Sequence, residues 1–96
     1  MHINFIRNIQ FTKLLKTEGR LREFNFRKLT GLNEGLITVD VSDDRGNRIM
    51  FTMQQHGQGW HLYNPPYLPD WIVDSEQGLS DIIEAELREI AQAGPY

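Results

Sequence analysis

The chain contains no cysteine among its 96 residues. This absence excludes disulfides, thiolate nucleophiles, and the zinc and iron–sulfur sites that depend on cysteine ligands. The chain also has no apolar run near the roughly 18 residues that a membrane span requires. Its N-terminus lacks the apolar segment and small-residue cleavage site of a secretory signal. The sequence therefore predicts a cytoplasmic protein that makes no use of a membrane.

Motifs of catalysis are missing as well. There is no phosphate-binding glycine loop, nucleophile elbow or dinucleotide fingerprint, and Gly57 and Gly59 belong to a turn signal that does not open a helix. The three histidines lack the short local spacing of metal ligands. We expect a protein that is not an enzyme and holds no cofactor or metal.

Composition is otherwise ordinary, with 40% hydrophobic and 24% charged residues, and predicts a single domain over residues 1–96. The charge is unevenly distributed along the chain. Residues 1–30 carry seven basic against two acidic side chains, whereas residues 31–96 carry three against eleven. A net +5 followed by a net −8 indicates a charged partner, a second copy of the chain, or two elements that complement each other within one copy.

The strongest structural pattern is an alternation of apolar residues on both sides of a turn. Between the two segments lies a predicted three-residue loop of Asp44, Arg45 and Gly46. Its glycine suits the left-handed conformation that ends such a loop. Counting outward from this loop aligns three apolar pairs on one face: Val41 with Ile49, Val39 with Phe51, and Ile37 with Met53. A slip of one residue would destroy the match, so the pattern predicts both the hairpin and its register.

Similar alternation predicts a sheet of four or five antiparallel strands, at about 9–16, 21–29, 36–43, 47–54 and 60–63. The first segment also fits one turn of a helix, and residues 1–8 receive no assignment. For the last pair, a four-residue loop from Gln55 to Gln58 would set Trp60 opposite Met53 and Leu62 opposite Phe51.

The C-terminal third reads as a helix over about residues 70–93, with apolar residues at helical spacing and a Gly-Pro stop. Gly78 costs about 1 kcal/mol inside a helix, so the alternative is a turn at 69–75 and a separate helix capped by Ser80. Together these elements predict an α+β domain: an antiparallel β-meander whose apolar face is covered by one amphipathic C-terminal helix.

The functional hypotheses centre on the basic N-terminal hairpin, a candidate interaction surface of Lys13, Lys16, Arg20, Arg22, Arg27 and Lys28. The leading hypothesis is a non-enzymatic protein-interaction or accessory module. One form of it is self-association, in which the hairpin of one copy meets the acidic helix of another. One alternative is single-stranded nucleic-acid binding, with Phe24 and Phe26 as stacking rings. Another is a small-ligand pocket between helix and sheet edge near Trp60, Tyr67 and Trp71.

Overall fold

The computed structural model describes residues 9–28, 35–63 and 67–93. The unassigned residues 1–8, and residue 29 at the predicted end of the second strand, lie outside these ranges. Within the described ranges seven elements follow one another: β1 (Ile9–Thr17), β2 (Arg20–Lys28), β3 (Leu36–Ser42), β4 (Arg48–His56), β5 (Gly59–Leu62), α1 (Asp70–Val73) and α2 (Glu76–Ala93). The strands form one antiparallel sheet in the order β1-β2-β3-β4-β5. The predicted α+β meander with a C-terminal helix is confirmed.

The hairpin of β3 and β4 has the predicted register. Val41 lies opposite Ile49, as the alternation requires, and the two inner apolar pairs follow in step. The N–H of Asp43 donates to the carbonyl of Asn47 at 2.8 Å and closes the three-residue loop. Gly46 has a φ of 86°, the left-handed conformation that glycine adopts without steric cost.

The predicted pairing of β4 with β5 is wrong by two residues. Met53 lies opposite Leu62, and the strands stay paired out to His56 and Gly59, so the loop holds two residues and not four. Gly57, with a φ of 64°, allows this tighter turn. A shift of two residues keeps every side chain on the same face of the sheet, so alternation alone does not distinguish the two registers.

The core lies between one face of the sheet and the two helices. It contains the apolar residues of β2 to β5 on that face, together with residues from the helices and the segment before them: Phe24, Phe26, Ile37, Val39, Val41, Phe51, Met53, Trp60, Leu68, Ile72, Leu79 and Ile83. We call this the inner face and the opposite one the outer face. The helices thus cover the apolar face that the alternation defines.

The helix predicted over 70–93 is interrupted at Asp74 and Ser75. The alternative boundary also differs from the structure, because α2 begins at Glu76 and Ser80 lies inside it. Gly78 does not break the helix: an added Cβ would lie 3.3 Å from both terminal methyl carbons of Leu15, so this glycine lies where β1 packs closely on α2. Of the helices in the described ranges, none has the length and apolarity needed to cross a membrane.

Candidate interaction surface at the edge of the sheet

The basic hairpin of the sequence prediction is formed by β1 and β2. Thr17 pairs with Arg20 across a two-residue loop, in which Glu18 and Gly19 both have positive φ, 51° and 78°. Two positive φ values define the turn that matches the right-handed twist of the flanking strands. The hairpin places Lys13, Arg22 and Lys28 on the inner face, and Lys16 and Arg27 on the outer face.

Arg22 is directed into the protein and does not lie on an exposed surface. Its side chain is 8% exposed, and its Nε donates to the hydroxyl oxygen of Thr17 at 2.8 Å. The guanidinium carbon lies 4.0 Å from the centre of the Trp71 ring, and Nη1 lies 3.1 Å from Asp44 Oδ1. These contacts join the hairpin to α1 and to the β3–β4 loop, which is a structural role.

Two further cations pair with acids of the same chain. Lys13 Nζ lies 3.4 Å from Glu86 on α2, and Arg20 Nη1 lies 2.8 Å from Asp44. Acidic side chains from the later part of the chain therefore pair with some of the basic side chains of the hairpin within one copy. Within the described ranges Lys16, Arg27 and Lys28 form no ion pair, so they are the predicted cations whose charge remains for a partner.

The aromatic rings of the hairpin are not available for stacking on bases. Phe24 and Phe26 belong to the core, and the ring of Phe26 stacks on that of Phe11 with centroids 4.7 Å apart. Nucleic-acid binding through the hairpin stays a prediction. It is supported by the positive charge of the hairpin and not by rings on which bases could stack.

The three residues predicted to line a ligand pocket occupy different environments. Trp60 is buried in the core, Trp71 is half-buried under Arg22, and Tyr67 is 97% exposed. A side chain so exposed makes little contact with its neighbours. A ligand pocket between helix and sheet edge stays a prediction, but these three side chains do not form a common lining for it.

Polar side chains on the outer face form a chain of hydrogen bonds across four strands. The Thr12 hydroxyl donates to Asn25 Oδ1 at 2.7 Å, and Asn25 Nδ2 donates to Asp40 Oδ1 at 2.9 Å. Arg48 Nη1 reaches the same carboxylate oxygen at 3.4 Å. Two open grooves of about 340 and 380 Å³ lie along this network and share Asn25 and Arg48. The network explains why the carboxylate of Asp40 is tolerated at a nearly buried position.

The described residues offer no set of three or more histidine, aspartate or glutamate side chains that could hold a metal ion.

The two edges of the sheet differ in a way that the sequence does not reveal. At the β5 edge, the backbone N–H of Trp60 donates to Ser80 Oγ at 2.9 Å, and that of Leu62 donates to Glu76 Oε2 at 2.8 Å. Four residues of a helix rise about 6 Å, close to the roughly 6.7 Å between alternate residues of a strand. Side chains four apart on α2 can therefore satisfy alternate amides of β5, and this edge is closed.

The described residues provide no such cover at the β1 edge. The pair that closes a two-residue loop is hydrogen-bonded, so the odd-numbered residues of β1 direct their amides and carbonyls to β2. Gln10, Thr12, Leu14 and Lys16 direct theirs away from the sheet. Within the described part of the chain, no backbone group and no side chain forms a hydrogen bond with these outward groups. We call this row of outward amides and carbonyls the open edge.

The outer-face side chains beside the open edge include two exposed leucines. Leu14 is 60% exposed and Leu21 is 66% exposed, and the register makes them diagonal neighbours. Lys16 lies directly opposite Leu21 on the same face. An open strand edge bordered by apolar and basic side chains is a surface that a further strand can extend.

Comparison of the chain with protein-family models, curated proteins and solved structures found no match.

Proposed function

We propose that this protein is a non-enzymatic protein-interaction module that binds an extended segment of another chain along the open edge of β1. The observation that carries the proposal is the contrast between the two edges of the sheet. Side chains of Ser80 and Glu76 occupy the outward amides of β5, while those of β1 have no partner among the described residues.

The length of β1 favours strand addition. Its nine residues pair with β2 along their entire length, so the backbone is already held in the extended conformation that a further strand requires. In strand addition the backbone hydrogen bonds provide affinity, and the side chains on either face provide specificity. The mean strand of globular proteins has only about 5–6 residues, so β1 offers a long template.

The outer-face network keeps the template rigid. Hydrogen bonds from Thr12 through Asn25 to Asp40 connect β1 to the centre of the sheet. On the inner face, Leu15 packs on α2 at Gly78 and Lys13 pairs with Glu86. A preformed edge loses little conformational entropy when a partner strand binds.

The test uses a proline at a position whose N–H points away from the sheet. Thr12→Pro removes one outward donor, together with the hydroxyl that donates to Asn25, and leaves the backbone hydrogen bonds to β2 in place. Thr12→Ala removes the same hydroxyl and keeps the outward donor. Both variants are compared with the wild type in selections from a library of displayed random peptides.

We expect enriched peptides to slow hydrogen exchange at Gln10, Thr12, Leu14 and Lys16 of the wild type. They should bind Thr12→Ala with similar affinity and Thr12→Pro at least about tenfold more weakly, since one amide donor is lost. Peptides that bind all three proteins equally, or that leave exchange in β1 unchanged, would contradict the proposal. Thermal melts of both variants check that the fold is retained.

A further inference from the structure

We infer that the segment bound at the open edge is acidic, and that it carries an acidic residue opposite Lys16 and an apolar residue opposite Leu14. This inference rests on the proposed function and deepens it by naming the chemistry of the partner. It follows from the charge and exposure of the side chains that border β1.

The charge of the strand selects the sign of the partner. β1 contains Lys13 and Lys16 and no acidic residue. Lys13 is already paired with Glu86, but Lys16 is exposed and forms no ion pair with a described residue. Opposite charges across neighbouring strands stabilise a sheet and like charges destabilise it. An acidic side chain on the added strand therefore complements Lys16.

The same reasoning makes a second copy the less favourable occupant. Pairing β1 with β1 of another molecule would bring two further lysines and no acid to the new strand pair. A lysine on an edge strand is a common device by which proteins prevent such self-pairing. The open edge thus discriminates against its own sequence and in favour of an acidic one.

The exposed leucines determine where the apolar residue belongs. Leu14 lies on the outer face, diagonal to Leu21, and both side chains are mostly exposed. An apolar residue opposite Leu14 on an added strand would cover Leu14 on the side that faces away from Leu21. Since all pairs of the described sheet are antiparallel, we assign an antiparallel orientation to the added strand.

This orientation sets the order of the two side chains in the partner. In an antiparallel strand the residue opposite Lys16 precedes the residue opposite Leu14 by two positions, so the segment reads acidic, any residue, apolar. A parallel strand would require the reverse order. The order is therefore a property that synthetic peptides can test.

The experiment measures the affinity of three synthetic peptides of about nine residues, a length matched to β1, for the whole chain. The first has glutamate, threonine and isoleucine in succession at its centre, flanked by threonine and valine. The second replaces the glutamate by lysine, and the third exchanges the glutamate and the isoleucine. We expect the first to bind on the order of tenfold tighter than either of the others, with an affinity that falls as salt increases.

A charge-reversal variant links the preference to one residue. Lys16→Glu should reverse the order of the first two peptides, whereas Arg88→Glu makes the same change in net charge at an exposed position on α2 and should not alter it. Hydrogen exchange in β1, measured with each peptide, reports whether binding occurs at the open edge.

The remaining outcomes separate this inference from the proposed function. Equal binding of all three peptides with slowed exchange in β1 would overturn the acidic segment and leave strand addition intact. A dimer by light scattering, with slowed exchange in β1 and no peptide bound, would make a second copy the occupant and overturn the inference. Peptide binding that leaves exchange in β1 unchanged would overturn both.

Discussion

Replacing Ser80 by alanine should destabilise the protein although it removes a single oxygen atom. Ser80 is 5% exposed, and its Oγ accepts the hydrogen bond of the Trp60 amide at 2.9 Å. Trp60 itself is 2% exposed, so its amide gains little solvation when the hydroxyl is lost. A buried donor without an acceptor costs about 1–3 kcal/mol.

A smaller effect opposes this loss. Alanine is the better helix former, by no more than about 0.7 kcal/mol at an interior position of a helix. With the full 0.7 kcal/mol subtracted, the net destabilisation should be about 0.3–2.3 kcal/mol. For a chain of this length each kcal/mol changes the melting temperature by about 4–8 °C, so Tm should fall by roughly 1–18 °C.

The assay is thermal and urea unfolding of the variant beside a control at Ser42 and a pair of variants at Glu76. Ser42→Ala makes the same chemical change at an exposed position of β3 and should leave Tm within about 2 °C of the wild type. Glu76→Gln retains a side-chain oxygen that can accept the hydrogen bond of the Leu62 amide, so it should lower the free energy of unfolding less than Glu76→Ala does. A Ser80→Ala protein as stable as the wild type, with unchanged exchange of the Trp60 amide, would refute the idea that α2 closes the β5 edge through this bond.

Three other predictions follow from described contacts. Gly78→Ala should stabilise the protein more in a Leu15→Ala background than in the wild type, because the added Cβ would lie 3.3 Å from Leu15. A double-mutant cycle by urea unfolding should give a coupling free energy of at least about 0.5 kcal/mol between the two positions. Additive effects of the two substitutions would contradict the packing of Leu15 on Gly78. Hydrogen bonding from the backbone N–H of Asn47, and secondarily Arg45, lowers the pKa of Asp43 below its ordinary 3.8. The carboxylate therefore stabilises the fold fully above that ordinary value and loses this effect as pH falls through the lower folded pKa. Asp43→Asn should thus lose less stability than the wild type between about pH 6 and about pH 2.5, as measured by urea unfolding; equal losses would contradict the assignment. Arg22→Met should lower unfolding free energy by about 1–3 kcal/mol and change the tryptophan emission, since the guanidinium lies over the ring of Trp71; unchanged stability and emission would contradict its structural role.

The parts of the fold that alternation specifies were predicted correctly. In β3 and β4 three apolar pairs on one face coincide in a single register near the glycine of the turn, and the structure has that register. In β4 and β5 the predicted register is wrong by two residues, because a shift of two residues leaves Trp60 and Leu62 on the inner face. The alternation of apolar residues thus determines which face of the sheet a side chain occupies. It determines the register between neighbouring strands only where the turn adds a second constraint.

The candidate surface was predicted only in part. The sequence pointed to the basic hairpin, and β1 of that hairpin forms the open edge. Alternation sets Arg22 on the same face as Phe24 and Phe26, but the linear pattern gave no sign that its guanidinium meets Trp71 or that Lys13 meets Glu86. Each of these contacts joins residues from separate elements, and the local periodicity of a segment carries no information about such partners. The exposed Leu14 and Leu21 carried a weak signal: they are apolar residues on the polar side of their strands.

By itself the sequence determined the α+β class, a meander of four or five strands, the inner face and the position of the helical region, because each follows from the spacing of apolar residues and from turn chemistry. That the first segment is a strand and not a turn of helix was left open. Only the tertiary structure decided where the helix is interrupted, which cations are paired, and which edge of the sheet is closed. The closure of β5 needs Ser80 and Glu76 on α2 to meet the amides of Trp60 and Leu62, and that depends on how the helix lies on the sheet. Spacing along a chain specifies faces, whereas the partners of those faces are specified by packing.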